Sequence, residues 1–227
     1  MDELRLTGDG SHTLYSPEYG QTYHSRFGAI EESRHVFLQG VRLEELLKRN
    51  ETVTLLEIGF GTGLNFWLSA RPFLTGNRRL NYRAVEARLL PGETFSRLNH
   101  ARLLGLEEPF GTFLRWRAGI GPADNREYHF RYDTISLGLF HGEARRADYG
   151  EETFHAIYLD AFSPDCNPEP WAEDYLKRLY RSLKPGGLLA TYSSRRSVRE
   201  ALTACGFCVE KRPGPRGKRE ILSAYKP

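Results

Sequence analysis

The run Val53 to Asn65, "VTLLEIGFGTGLN", passes from a continuous apolar stretch through an acid into glycines on alternate residues, Gly59, Gly61 and Gly63. An unbroken β-rich apolar run reads as a strand buried on both faces, which requires a parallel sheet with helices on either side. Glycines directly after such a strand let a ligand approach the backbone, since no Cβ intervenes, and the following helix offers free N–H groups at its first turn. The fingerprint for a dinucleotide is G-x-G-x-x-G. Counted from Gly59, Leu64 stands where its third glycine belongs, and the third glycine is Gly63 instead.

The rest of the chain agrees with that start. "VTLLEI" is followed by the helical "LNFWLSARPFL", "NYRAVE" by "GETFSRLNHARLLG", and "HAIYLD" by "EPWAEDYLKRLYRSL". Then come "GGLLATYS", the helical "SVREALTAC", and a last strand pair, "GFCVEKR" and "REILSAY". Alternation of this kind predicts an α/β doubly wound sheet, mostly parallel, with a C-terminal antiparallel hairpin. "REYHFRYDTISLGLF" adds an inserted β-hairpin, and residues 33–49 form one amphipathic helix before the first core strand. Ahead of it, "YSPEYGQTYHSRFGAIEE" has no helical period and is expected to cross the carboxyl edge of the sheet. At 227 residues the chain is expected to form a single domain, with 1–50 an N-terminal extension and helix and 51–227 the core.

No apolar stretch approaches the roughly 20 residues of a membrane span, and the N-terminus lacks a signal-peptide layout, so a cytoplasmic protein without membrane association is expected. Residues 195–227 carry nine Lys/Arg against three Glu, which leaves the body of the chain slightly acidic despite a net charge of +3. That asymmetry fits either a phosphate-rich partner on one side or an ordinary solvated surface. Three cysteines, Cys166, Cys205 and Cys208, exclude a disulfide framework, and the C-x-x-C pair lacks the second ligand pair of a zinc site. Both thiols of the pair are expected to be buried and structural, and no metal is expected.

An acid at the end of the second core strand would accept hydrogen bonds from both hydroxyls of a ribose. Glu86 stands there, 23 residues after Gly63, and suits any adenosine ligand without selecting the cofactor. Asp160 ends "HAIYLD", beside the glycine strand, and is the candidate catalytic acid. Phe162, Ser163 and Pro164 make a stiff lip suited to a planar group, while Asn167 and Pro168 are turn residues before the next helix.

The spacing E-x-G-x-G-x-G is the one found in class I S-adenosylmethionine-dependent methyltransferases. Joined to "YLDAFSPDCNPEPW", "LKPGGLLATYSS", "GKREIL" and the upstream "EESRHVFLQG", it resembles the methyltransferase domain of the bacterial tRNA 5-methylaminomethyl-2-thiouridine biosynthesis family. The motifs run from residue 19 to 222, and the flavin-dependent oxidase domain of the two-domain members has no counterpart, which implies a stand-alone form. The resemblance implies methyl transfer from S-adenosyl-L-methionine to the amine of 5-aminomethyl-(2-thio)uridine in the tRNA anticodon stem-loop, with a separate oxidase or other enzymes making the aminomethyl precursor. By position it assigns the cofactor to Glu57, Gly59, Gly61, Gly63, Asn65 and Glu86, with Glu143 on the adenine amino group. It places Asp160 beside the amine and Phe162 and Pro164 around the base, and leaves Cys166 without a role. Tyr19, Tyr23, Phe162 and Tyr192 are then candidate stacking surfaces, and Arg212, Arg216, Lys218 and Arg219 candidate phosphate contacts. Rival readings are a polyamine-type aminopropyltransferase and a non-catalytic RNA-binding protein on the same fold.

Overall fold

The computed structural model describes residues 2–227. An eight-stranded sheet forms its centre. Its core strands are β4 (Thr52–Ile58), β5 (Arg79–Glu86), β7 (Ile135–His141), β8 (Phe154–Leu159) and β9 (Leu183–Thr191). The spatial order is β10-β11-β9-β8-β4-β5-β7-β6, with β6 (Arg126–Tyr132), β10 (Cys208–Pro213) and β11 (Glu220–Tyr225) completing the edges. Strands β9, β8, β4, β5 and β7 pair in parallel; β11 inserts antiparallel between β9 and β10.

Side-chain alternation along the strands feeds two cores. Leu55, Tyr82 and Ala156 are buried on the face covered by α3 (Leu64–Leu74), α4 (Gly92–Arg97), α5 (His100–Leu104) and α6 (Glu107–Arg117). Leu56, Val85 and Ile157 turn to the other face, where α7 (Glu173–Ser182) and α8 (Arg196–Ala204) contribute Tyr175, Leu176, Leu179 and Leu202. Because neighbouring residues of one strand are buried on opposite faces, the strand must read as continuously apolar.

Four local expectations need correction. The 33–49 segment is not one helix: α1 (Ala29–Ser33) runs into a π-turn at Arg34–Leu38, and α2 (Leu43–Arg49) starts only after Arg42 at φ 55. The break centres on Gly40, whose backbone lies against the sheet, where an added Cβ would meet the Cβ of Ala190 at 2.8 Å and where Ser223 Oγ donates to the Gly40 carbonyl at 3.1 Å. The "inserted" hairpin belongs to the main sheet, since β7 pairs with β5 over seven residues. "GETFSRLNHARLLG" divides at Leu98 and Asn99, because the Asn99 amide is committed to the N-terminal segment through His12 N and the Gly10 carbonyl, each at 2.8 Å. Finally Cys208 is exposed, and only Cys205 of the pair is buried.

Helix α6 had no sequence expectation because Pro109 and Gly111 interrupt its pattern. Pro109 is tolerated in the first turn, where its N–H would have no intrahelical acceptor. The helix delivers Phe113, fully buried and edge-on to Trp67 at 5.6 Å and to Phe130 at 5.7 Å. Burial of one such ring is worth roughly 2–3 kcal/mol.

The N-terminal segment forms a small antiparallel sheet of β1 (Glu3–Leu6), β2 (His12–Ser16) and β3 (Gln21–Thr22), and its continuation crosses the carboxyl edge of the main sheet as expected. His24 anchors it. The Thr13 hydroxyl accepts from His24 N at 3.0 Å and is hydrogen-bonded to Nδ1 of the same residue at 3.2 Å. Burial, reinforced by His100, pulls His24 down to about 3. A histidine depressed in the folded state contributes stability above its unfolded pKa and loses it as pH falls, because only the unfolded chain then takes up the proton. His24→Gln should therefore cost less stability at about pH 5 than at about pH 7.5, the penalty shrinking by roughly 2 kcal/mol as read from urea midpoints of both proteins. An equal penalty at both pH values would show that His24 is not held neutral.

Candidate active site

The chain leaves β4 toward β5 and β7 on one side and later returns to β8 on the other, so the sheet order reverses between β4 and β8. Ligands in open α/β sheets bind outside the strand ends at such a point. Here a cleft of about 510 Å³ opens at that edge, lined by the turn after β4, the ends of β5 and β8, residues 19–27 and the loop of the last hairpin.

Gly59 and Gly61 serve the cleft differently. Gly59, at φ +93, donates its N–H to the Val85 carbonyl at 3.0 Å, and a Cβ there would meet the Asp160 carbonyl oxygen at 2.6 Å. Its bareness lets β4 and β8 converge. Gly61, at φ +50, faces the cleft, and a Cβ would lie 3.1 Å from the Tyr23 ring. Gly63 caps α3 from outside the cleft wall.

Glu86 receives Gly61 N on one carboxylate oxygen and Arg88 N on the other, each at 2.8 Å, which fixes the carboxylate at the cleft wall. Glu143 also lines the cleft, exposed and paired with Arg146 at 2.9 Å. Glu57 does not reach the cleft. It is wholly buried, and Asn65 Nδ2 bridges Glu57 Oε1 and Asp160 Oδ2, both at 2.8 Å. Asn65 Oδ1, Glu57 Oε2 and Thr62 Oγ1 are buried without partners. Burial pushes the Glu57 carboxyl well above its ordinary range, and the neighbouring Asp160 adds to the shift.

Asp160 opens to the cleft on one side and is packed in protein on the other. Burial raises its pKa well above the usual carboxylate range, Glu32 raises it further, and the Asn65 hydrogen bond and Lys218 oppose them. Asp160 therefore holds its proton more tightly than a solvated carboxyl.

The aromatic lip is built by contacts across the chain. Tyr19 stacks on Phe162 with centroids 4.2 Å apart and planes at 20°, and Tyr23 meets Phe162 edge-on at 5.1 Å. Gln21 Nε2 donates to Ser163 Oγ at 2.6 Å, and Trp171 Nε1 to the Phe162 carbonyl at 2.9 Å. Tyr192 donates its hydroxyl to the Ala161 carbonyl at 2.9 Å. Pro164 lies in the adjoining turn but not on the cleft surface, and Cys166, whose thiol donates to the Ser163 carbonyl at 3.5 Å, helps close that turn.

The basic residues separate. Lys218 points into the cleft. Arg212 donates to the Gln39 carbonyl at 3.0 Å, and Arg216 lies over the Phe27 ring at 5.8 Å. Those two and the exposed Arg219 lie outside the cleft lining.

Among the cleft residues without an assignment from sequence, Glu32 and Arg88 are charged and make cross-chain ion pairs. Glu32 sits in an aperiodic stretch and is nearly buried; Arg88 binds Asp2, Ser16, Glu18 and Tyr23, locking the N-terminal segment to the end of β5. Only Arg88's place two residues after Glu86 could have marked it. Among the described residues no group of three or more His, Cys, Asp or Glu is arranged to hold a metal, and no helix is long and apolar enough to cross a membrane.

The residues present fit an adenosine-bearing ligand: a bare turn that Cβ atoms would fill, and a fixed strand-end carboxylate facing the same space. A family profile described as S-adenosyl-L-methionine-dependent methyltransferase matches residues 115–227. The chain is 36% identical over 228 aligned residues to the tRNA 5-methylaminomethyl-2-thiouridine biosynthesis bifunctional protein MnmC of Aromatoleum aromaticum, covering 97% of this chain and 35% of that protein. It spans about a third of the length of the curated relatives it matches. The crystal structure of MNMC2 from Aquifex aeolicus superposes with a TM-score of 0.77 and 27% identity, over 100% of this chain and 72% of that chain. Spermidine synthase from Thermotoga maritima, at TM-score 0.56 and 12% identity over 100% of this chain and 80% of that one, shares the fold alone. With a class I methyltransferase-like sheet, this chain belongs to the S-adenosyl-L-methionine-dependent methyltransferase family found within the MnmC proteins.

Proposed function

We propose that this methyltransferase transfers a methyl group from S-adenosyl-L-methionine to the amine of 5-aminomethyl-(2-thio)uridine at the tRNA wobble position, giving 5-methylaminomethyl-(2-thio)uridine. The observation that carries the reading is Asp160, a carboxyl held at the cleft floor by Asn65 and made more basic by its burial. Its reach into the same space as the Gly61 turn gives methyl donor and amine acceptor one shared cavity. The names of the aligned relatives point to tRNA 5-methylaminomethyl-2-thiouridine as the modified nucleoside, and removing its methyl group gives the proposed acceptor. Working on tRNA would place the protein in the cytoplasm, and an enzyme that generates the aminomethyl group, an oxidase or another, must act before it.

In this reading Glu86 accepts the ribose hydroxyls, Glu143 faces the adenine amine, and Gly59 and Gly61 keep the wall bare, while Glu57 acts only through Asn65. Bound S-adenosylmethionine supplies an electrophilic methyl carbon. The chain's own task is to align an amine lone pair with it and remove a proton, because a primary ammonium has no lone pair to offer. Asp160 orients the amine and takes that proton. An ordinary Asp is a poor base for an amine, and the raised pKa narrows the gap. The uridine leaves its stack to enter, at least cost in a single-stranded loop. Tyr23, Phe162 and Tyr192 then surround it, and Tyr19 must leave Phe162 if the base is to take its place. Pro164 stiffens the turn behind Phe162.

The direct test is transfer of labelled methyl from S-adenosylmethionine to tRNA carrying 5-aminomethyluridine, with nucleoside analysis of the product; absence of transfer would overturn the reading. A polyamine offered in the same assay should receive nothing, which separates it from an aminopropyltransferase-like activity. Asp160→Asn keeps the shape and loses the proton acceptor, so its kcat should fall by about 100-fold or more while cofactor affinity changes little. Wild-type turnover in the variant would remove Asp160 from the mechanism.

Arg212, Arg216 and Arg219 are proposed to meet anticodon-stem phosphates. Three such contacts predict that tRNA affinity weakens roughly 20–40-fold between about 50 and 200 mM salt, and that each alanine substitution lowers the log–log slope by about 1. A flat salt response would place the RNA elsewhere.

A further inference from the structure

The acceptor side of the cleft contains an ion pair between distant parts of the chain. Glu32, on α1, is 6% exposed. One of its carboxylate oxygens accepts Ser25 N at 2.6 Å, and the other lies 2.7 Å from Lys218 Nζ. Lys218 comes from the loop between β10 and β11, and its ammonium stands 4.3 Å over the Tyr192 ring, whose hydroxyl is tied to the carbonyl of Ala161, next to Asp160. A carboxylate this buried is costly unless paired, and its partner here is a residue of the cleft wall.

The groups around Asp160 come from every neighbouring element: Glu32 from α1, Glu57 from β4, Asn65 from α3, Glu86 from β5, Tyr192 from the end of β9 and Lys218 from the hairpin loop. Glu32 is the strongest charge raising the Asp160 carboxyl, and Lys218 acts against it. Glu57 is itself pushed toward its neutral form, so Glu32 and Lys218 are the charges that a substitution can alter most cleanly.

We propose that Glu32 is a positioning residue for this reaction, its pairing with Lys218 fixing the hairpin loop over Tyr192 and setting the net charge that Asp160 and the acceptor amine meet. The inference rests on the amine-methylation reading above.

The test is the pH dependence of kcat for wild type, Glu32→Gln, Lys218→Met, the double variant and the conservative Glu32→Asp, all with saturating aminomethyluridine tRNA. Loss of the Glu32 charge should move the ascending limb to lower pH by roughly one unit and lower the plateau several-fold, because a less basic Asp160 holds the proton less well. Loss of Lys218 should move the limb to higher pH. The double variant should return it toward wild type, and Glu32→Asp should keep its position. If plateaus fall while no limb moves, Glu32 is only a structural tie and the proposal is overturned. A wild-type enzyme that transfers no methyl would sink the amine-methylation reading instead. In that event titration of the Asp160 carboxyl carbon by NMR, identified by its loss in Asp160→Asn, still tests the coupling: an unchanged titration in Glu32→Gln rejects it.

Discussion

A single amide joins the two carboxyls on which the cleft is built. Asn65 donates one N–H to Glu57 and the other to Asp160, so a residue at the start of α3 sets both the floor of the cleft and the spacing of two neighbouring strand ends. Two ionised carboxylates that close in a buried place would repel, and burial raises both. Asn65 compensates in part by giving each a donor. The arrangement also explains why the residue after the glycine turn matters as much as the turn: Gly59 lets Asp160's backbone approach, and Asn65, six residues later, captures its side chain.

The parts of this arrangement legible in the sequence are those with a local cause. Residues Leu55 and Leu56 face opposite cores, so β4 had to be apolar throughout, and that pattern survives translation into one dimension. The glycines, Glu86 and Asp160 sit at strand ends, where a strand pattern stops at an identifiable position. What escaped depends on contacts across the chain. Gly40 is bare because the Val36 carbonyl and, from across the chain, Ala190 lie against it, and Asn99 divides a helical pattern because His12 and Gly10 bind its amide. Helix α6 was hidden by Pro109, a residue that is harmless in a first turn. Glu32 had no assignment from sequence, because its partner Lys218 lies 186 positions away.

The N-terminal segment contributes more to the cleft than an extension would. Arg88, two residues beyond Glu86, gathers Asp2, Ser16, Glu18 and Tyr23, and the same segment reaches the opposite lip through Tyr19 on Phe162 and Gln21 on Ser163. One wall of the cleft is thus attached to both of the others. Stacking of Tyr19 on Phe162 covers the aromatic face that a planar base would otherwise meet, so a base entering as proposed would exchange one stacked ring for another. Such an exchange loses little apolar contact, since the ring displaced and the ring admitted are of similar size.

Lys218 shows how a charge pattern and a structure divide the same residues. In sequence it belongs to a run of cations, Arg216, Lys218 and Arg219, and a run of that kind reads as one electrostatic surface. In three dimensions the hairpin loop sends Lys218 inward to Glu32 and leaves Arg219 exposed and Arg216 outside the cleft over Phe27. A lysine paired to a buried carboxylate has little field left for a phosphate, because the pair is nearly neutral beyond its own length. The basic surface that RNA would meet is therefore smaller than the sequence implies, and the loop that carries it is anchored from inside the cleft. In the proposed reading, phosphate contact outside and amine contact inside would bear on one short loop, tying the position of the RNA backbone to the charge around the acceptor amine.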